Sequence, residues 1–250
     1  MSSPAGTYGG SMYLENLVVD AVDPQLVGRF WEAVLGAEQL TDEPAGYETR
    51  LTIEGGPVLD VCFQRVPELP VDPSRVQVEI WGGARHTQEV ERLLGLGARH
   101  PDRTEGDARA VVLADPEGSP FGVTQDQAAY ADTGILAALR LDSADPDRDA
   151  QFWSWLTGWT HSVSGAPRSL RHPTRLGPFL ELCPEPAPKR TSKNRLHLDV
   201  RLETGDDPDD IEARIVERGG SRLDPHWGEL PWRLYADPSG NEFCVLPART

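Results

Sequence analysis

The chain has 250 residues, with 24 lysines and arginines against 40 aspartates and glutamates, and so a formal net charge of −16. That balance excludes a protein that tracks a nucleic-acid backbone, because such affinity comes from neutralising phosphates with Lys and Arg. No apolar run reaches the roughly 20 residues of a membrane-spanning helix, and 38% hydrophobic residues with 26% charged is the composition of an ordinary folded protein rather than a disordered one.

In chain order, an apolar run at 14–19 ending in Asp20 predicts a strand. Asp23 then caps a helix with Pro24 at its first position, where the missing N–H costs nothing. Leu26, Phe30 and Val34 follow at helical spacing, and Gly36 is the expected stop. Short strands are predicted at 48–53, 58–64 and 75–81, a helix at 87–94, and a closing hairpin around Asp115-Pro116-Glu117-Gly118, a type I turn sequence. The same order then recurs: a strand at 136–141, the cap Asp145-Pro146, Phe152-Trp153, Gly158, strands at 169–173, 179–183 and 195–202, a helix at 208–218, and the turn Asp237-Pro238-Ser239-Gly240.

The recurrence has one offset. Asp20 and Asp142, Phe30-Trp31 and Phe152-Trp153, Gly36 and Gly158, Gly97 and Gly219, and the two Asp-Pro-x-Gly turns are each 122 positions apart. Self-similarity at a fixed period over most of a chain marks a duplication. The expected domains are therefore 12–125 and 134–250, joined by 126–133. Within each, the strand–helix–strands order occurs twice, which gives four modules and an α+β fold.

The N-terminus lacks the basic start and apolar stretch of a signal peptide. Cys62, Cys183 and Cys244 are too scattered for a disulfide framework or a paired-cysteine metal knuckle. A cytoplasmic location is expected from both.

The motifs Asp23-Pro24…Phe30-Trp31…Leu35-Gly36, Phe63-Gln64-Arg65-Val66, Asn194-Arg195-Leu196-His197-Leu198-Asp199-Val200 and Asp237-Pro238-Ser239-Gly240-Asn241-Glu242-Phe243-Cys244-Val245 resemble those of tandem glyoxalase-like proteins of the vicinal oxygen chelate superfamily. The resemblance implies four βαβββ modules paired into two cup-shaped barrels. The superfamily includes glyoxalase I, methylmalonyl-CoA epimerase, ring-cleaving dioxygenases, and fosfomycin and bleomycin resistance proteins, so the fold alone does not choose a function.

The resemblance also implies a divalent metal (Zn, Ni, Mn or Fe) held at four strand positions. In the C-terminal unit these fall on Ala138, Glu181, His197 and Glu242; in the N-terminal unit, on Asn16, Asp60, Gln77 and Pro120. If modules pair within a unit, Glu181, His197 and Glu242 meet. If they are exchanged, Asn16, Asp60, His197 and Glu242 meet instead. The candidate metal ligands are therefore His197, Glu242, Glu181 and Asp60, with Glu242 or Glu181 as the catalytic base.

The strand at 195–202 alternates Arg195, His197, Asp199 and Arg201 against Leu196, Leu198, Val200 and Leu202, so the polar set should line a cup. Asp199 and Arg140 are candidates to bind a substrate, and Arg140 could pair with Glu242 or Asp199 in place of a metal. Trp227 and Trp232 flank a loop ahead of the last hairpin and could wall a small-molecule pocket. Trp81 is a similar candidate, whereas Trp153, Trp155 and Trp159 read as core. A hydrogen bond from His197 to Glu242, with no metal, is the competing use of that pair. Cys244 reads as a buried inert thiol, and the remaining histidines as surface groups.

Two functions are thus expected: a metal-free binder with one functional pocket around His197 and Glu242, which could sequester an antibiotic or metabolite, or a metal-dependent lyase or isomerase acting on a 2-oxo or 2-hydroxy carbonyl substrate. Neither needs nucleic acid or membrane, and a monomer could be complete, with a dimer left open.

Overall fold

The structure is a computed structural model and describes residues 12–101, 110–125, 128–164, 166, 168–224 and 230–249. The first module is β1 (Met12–Ala21), α1 (Pro24–Leu35), β2 (Glu38–Glu43), β3 (Gly46–Thr52) and β4 (Val58–Arg65). The second is β5 (Val76–Trp81), α2 (His86–Leu96), β6 (Ala110–Ala114) and β7 (Pro120–Thr124). The third is β8 (Leu136–Ser143), α3 (Pro146–Thr157), β9 (Thr160–Ser162), β10 (Ser169–Arg171) and β11 (Phe179–Pro184). The fourth is β12 (Leu196–Leu202), α4 (Pro208–Glu217), β13 (Ser221–Leu223), β14 (Arg233–Ala236) and β15 (Glu242–Leu246).

Three modules are therefore βαβββ. The second has two strands after its helix among the described residues, and where β13 pairs with β14 it keeps only an isolated bridge, Arg99 with Ala114.

The helix signals hold in both repeats. Asp23 accepts from the Leu26 backbone N–H and Asp145 from that of Arg148, each at 3.1 Å. Gly36 and Gly158 end their helices at φ 64° and 70°, a region that L side chains rarely enter. In both turns an aspartate caps its own loop. Asp115 accepts from the backbone of Glu117 and Ser119, and Asp237 from that of Ser239 and Asn241.

The duplication also repeats its packing. Phe30 and Trp31 of α1 meet Phe121 on β7, and Phe152 and Trp153 of α3 meet Phe243 on β15, with centroids 5.0–6.0 Å apart in edge-on or tilted geometry. Burying each such ring is worth about 1.5–3 kcal/mol. Trp153 Nε1 donates to Asp237 at 3.1 Å, and Trp31, at the equivalent position, lies close enough to Asp115 to oppose the rise of its pKa. Each helix is thereby fastened to the last hairpin of its own repeat.

The sheets are assembled across the repeats. Sheet one runs β13-β14-β15-β12-β1-β4-β3-β2, from the first and fourth modules; sheet two runs β6-β7-β5-β8-β11-β10-β9, from the second and third. This is the exchanged arrangement of the two left open by the sequence. One seam is β1 antiparallel to β12, with Val18 opposite His197 and Asn16 opposite Asp199. The other is β5 antiparallel to β8, with Gln77 opposite Arg140.

Period-two alternation then sorts each strand. On β1 and β4, Leu17, Val19, Val61 and Phe63 belong to the main core, while Asn16, Val18, Asp60 and Cys62 line the opposite, concave face. Arg195 departs from the expected alternation. It lies just before β12, and its guanidinium turns to Glu117 at 2.9 Å, Asp115 at 3.6 Å and the Asp20 carbonyl at 3.1 Å. It thus ties the two sheets together instead of lining a cup.

Candidate functional site

The concave face of sheet one gathers His197 and Asp199 from β12, Cys244 from β15, and Asn16 and Asp60 from β1 and β4. Asp199 is in register with Cys244 on one side and Asn16 on the other, and Asn16 with Asp60 beyond. His197, Asp199 and Cys244 are 5%, 5% and 4% exposed. His197 Nε2 lies 3.4 Å from Asp199 Oδ1 and 3.7 Å from Cys244 Sγ. Asn16 Nδ2 donates to Asp199 Oδ2 at 3.3 Å.

Burial sets the protonation of this group. It pushes the His197 imidazole down to about 3, with Lys193 adding to the effect, so the ring is neutral. It lifts the Asp199 carboxyl to about 7, opposed by the Asn16 amide bonded to Oδ2 and by the nearby Cys244 thiol. Burial also raises the Cys244 thiol, with the Asp199 charge contributing. Two polar atoms here have no hydrogen-bond partner, His197 Nδ1 and Asp199 Oδ1. Among the described residues, Asp199 has no Lys or Arg within ion-pair range, its one such neighbour being the neutral His197 ring.

The acids around this group are differently placed. Asp60 is clasped by Arg50 through two bonds, 2.7 Å and 2.8 Å. Glu242 does not bond His197: its carboxylate takes Lys189 at 3.1 Å and the Asn194 backbone N–H at 3.2 Å. Of the four positions where the resemblance implies metal donors in this cup, two therefore already hold a protein cation, and Asn16 bonds Asp199. Asn16, Asp60, His197 and Glu242 do not fit a metal ion as a set.

Sheet two arranges its concave face otherwise. Arg140 lies between Gln77 and Glu181, and Glu79 is opposite both Ala138 and Gly122. Arg140 is 3.4 Å from Glu79 and 3.9 Å from Glu181, and the Tyr130 hydroxyl donates to Glu181 at 2.9 Å. Tyr130 and Phe179 stand edge to face at 5.7 Å, packed with Ala138 and Trp81. A side chain at Gly122 would collide with the Glu79 carboxylate, 2.0 Å from the position of an added Cβ. Glycine is what lets Glu79 lie over β7.

The exchange thus separates residues that the sequence grouped together. His197, Asp199, Glu242 and Asp60 belong to sheet one; Glu181 and Arg140 belong to sheet two. Arg140 pairs with neither Asp199 nor Glu242, because β8 is not in their sheet. Trp81 packs into cup two. Trp153 and Trp159 are buried, as expected of core residues. Trp155 and Trp159 also line an open groove of about 970 Å³ with His172 and Arg175. Trp232 is partly exposed on the segment before β14, and Trp227 lies outside the described residues.

The sequence reading missed Glu79 and Tyr130. Glu79 shares a strand face with Gln77, a signal that alternation alone could have supplied. Tyr130 falls in the segment between the repeats, which no pattern marked as part of a cup.

Comparison with solved structures supports the same architecture. Glyoxalase I from Zea mays matches 95% of this chain and 92% of its own at 17% identity, with a TM-score of 0.67. A putative dioxygenase from Bacillus subtilis matches 96% and 86% at 16% identity, with a TM-score of 0.59. At these identities the likeness is one of fold. No curated protein matches the chain in sequence. The family model described as a glyoxalase-like domain matches twice, over residues 16–124 and 138–246. The chain belongs to the glyoxalase-like family and carries its domain in tandem.

Proposed function

We propose that the protein binds a small organic molecule in one of its two cups, the one on sheet one, with His197 and Asp199 at its floor. One observation carries the reading. Asp199, the central acid of that cup, is buried with one oxygen unbonded and, among the described residues, no Lys or Arg in ion-pair range, whereas the acids of cup two meet Arg140 and Tyr130, although the Trp81 Nε1 beside them is also without a partner. A buried acceptor left unsatisfied costs roughly 1–3 kcal/mol, and a hydroxyl, amide or acid group of a ligand would supply the missing donor. Glu242 and Asp60 flank the pocket as paired charges. Trp232, exposed on the segment before β14, is assigned to its approach. The working unit is a cytoplasmic monomer, since one chain supplies both halves of the cup.

The experiment is a thermal-shift screen of small organic acids, amides and hydroxy-carbonyl compounds. At a hundredfold excess over its dissociation constant, a ligand should stabilise the protein by about 2.7 kcal/mol. Loss of that shift in Asp199→Leu, with retention in Glu181→Gln, supports the assignment; the reverse pattern defeats it.

A second reading is a lyase or isomerase on a 2-oxo or 2-hydroxy carbonyl substrate. The 3.4 Å approach of the His197 and Asp199 side chains favours it, as a pair that can hold and pass a proton. Turnover of such a compound, abolished by His197→Ala, would select it over simple binding.

A further inference from the structure

We propose that His197, Asp199 and Cys244 form a thiolate-type site for a zinc-like divalent cation, which keeps His197 of the strand positions that the family resemblance points to and takes its other two donors from Asp199, two residues along β12, and Cys244, two residues along β15 from Glu242. The proposal takes only its location from the reading of cup one as the working cup.

The three donors come from two adjacent strands on one face. Their candidate ligand atoms all lie within 4.8 Å of one another. Their separations suit one small ion. Zinc holds imidazole nitrogen at about 2.0–2.1 Å, thiolate sulfur at about 2.3 Å and carboxylate oxygen at about 2.0–2.2 Å in a tetrahedron, whose N–S and N–O edges are then about 3.6 Å and 3.4 Å. The corresponding separations here are 3.7 Å and 3.4 Å. The third separation, from Cys244 Sγ to the Asp199 carboxylate, is within 4.8 Å.

The second observation is independent of the spacing. Asp199 Oδ1, the oxygen facing the His197 ring, is buried and bonded to nothing. A divalent ion beside it would be neutralised within the site. Its binding displaces the thiol proton, and the Asp199 proton where that carboxyl is protonated, to solvent, leaving one thiolate, one carboxylate and a neutral imidazole around two positive charges. A buried cluster with no net charge needs no further counter-ion. Sulfur with imidazole selects a borderline-soft ion over Mg or Ca, which prefer all-oxygen sets. Asn16, bonded to the other oxygen of Asp199, takes the place of an outer support that orients a ligating carboxylate. Glu242 and Asp60, held by Lys189 and Arg50, are outside the set.

The test uses the full chain, stripped with chelator and titrated with ZnCl2 against a chromophoric competitor, and in parallel with CoCl2. Wild type should take up one ion per chain, and the cobalt form should show near-ultraviolet thiolate-to-metal absorption. Cys244→Ser should abolish that absorption and weaken zinc binding, while Cys62→Ser and Cys183→Ser keep both. Asn16→Ala should weaken zinc by about 10–100-fold, as loss of an outer support does. Glu242→Gln and Asp60→Asn should bind as wild type does. Circular dichroism of each stripped variant separates loss of the site from loss of the fold. The proposal is overturned by wild type that takes up no ion, by cobalt absorption that survives Cys244→Ser, or by zinc that depends on Glu242 and not on Cys244. If no ion binds but the organic-molecule screen succeeds, this site falls and the function stands.

Discussion

The two concave faces descend from the same duplicated modules, yet they bury their acids in opposite ways. On sheet two, Glu79 and Glu181 share one guanidinium, Arg140, and Glu181 receives the Tyr130 hydroxyl. Phe179, Tyr130 and Trp81 fill the space above. On sheet one, Asp199 has for company a neutral imidazole, a thiol and an amide. The arginine and lysine nearby are spent on Asp60 and Glu242. Both faces leave a polar atom unmet, Trp81 Nε1 on one and Asp199 Oδ1 on the other, but the acids of sheet two are neutralised by their own arginine, whereas the central acid of sheet one has no such partner. Such a local conflict is expected where a protein trades stability for function.

The sharpest way to break this comparison is Arg140→Met. Removing the cation that Glu79 and Glu181 share should cost about 3–5 kcal/mol in denaturant unfolding, the usual penalty for a buried charge stripped of its partner. A loss under about 1 kcal/mol would mean that cup two does not depend on internal neutralisation.

The two turns permit a pH comparison. Burial lifts the Asp237 carboxyl to about 6, with nearby Asp149 adding to the rise, whereas buried Asp115 has Arg195 opposing its rise. For a carboxyl raised in the folded state, the folded chain binds the proton more tightly than the unfolded one. The stabilisation is therefore complete below about pH 4 and is lost as pH rises to about 6, an effect on the order of 3 kcal/mol. Unfolding curves between pH 4 and 7 should show this fall, and Asp237→Asn should flatten it more than Asp115→Asn.

Tyr130→Phe deletes a single buried donor and should cost about 1–3 kcal/mol. It should leave the cobalt spectrum of cup one unchanged, because Tyr130 contacts only the other sheet's site. The smallest effect is expected at the floor of cup one. In metal-free protein Asp199→Asn removes an oxygen that accepts no hydrogen bond, so stability at pH 7 should change by less than about 1 kcal/mol or rise slightly. A loss as large as that of Arg140→Met would erase the distinction between the cups.

Much of the architecture was legible in the residues. Asp23-Pro24 and Gly36 bracket α1, Asp145-Pro146 and Gly158 bracket α3, and the 122-residue offset announced a duplication before any contact was known. Strands β2 and β9 were not foreseen. Both are edge strands with mostly exposed residues, and an edge strand with no buried face has no alternation to read. The alternation of β12 pointed correctly to a polar face carrying His197 and Asp199. It could not say which strand lies beside it, because partner choice depends on contacts far apart in sequence. Pairing Glu181 with His197 and pairing Asp60 with His197 were equal on paper, and only the seam of β1 with β12 separates them. The clasping of Glu242 by Lys189 was equally invisible. It arises where a segment between strands folds back over the end of β15, and segments of that kind follow no period.

That seam imposes an order of events on the growing chain. Sheet two is built from one continuous stretch between Val76 and Pro184, so all its strands exist before the last quarter has been synthesised. Sheet one must join β1 to β12, and Asn16 meets Asp199 across 183 residues. Long-range pairing of this kind is slow and costly in loop entropy. The first module therefore waits with an open strand edge while its neighbour closes. The cup assigned to ligand binding is the last part of the molecule to come into being, and any ligand or ion it holds is a latch on the completed chain.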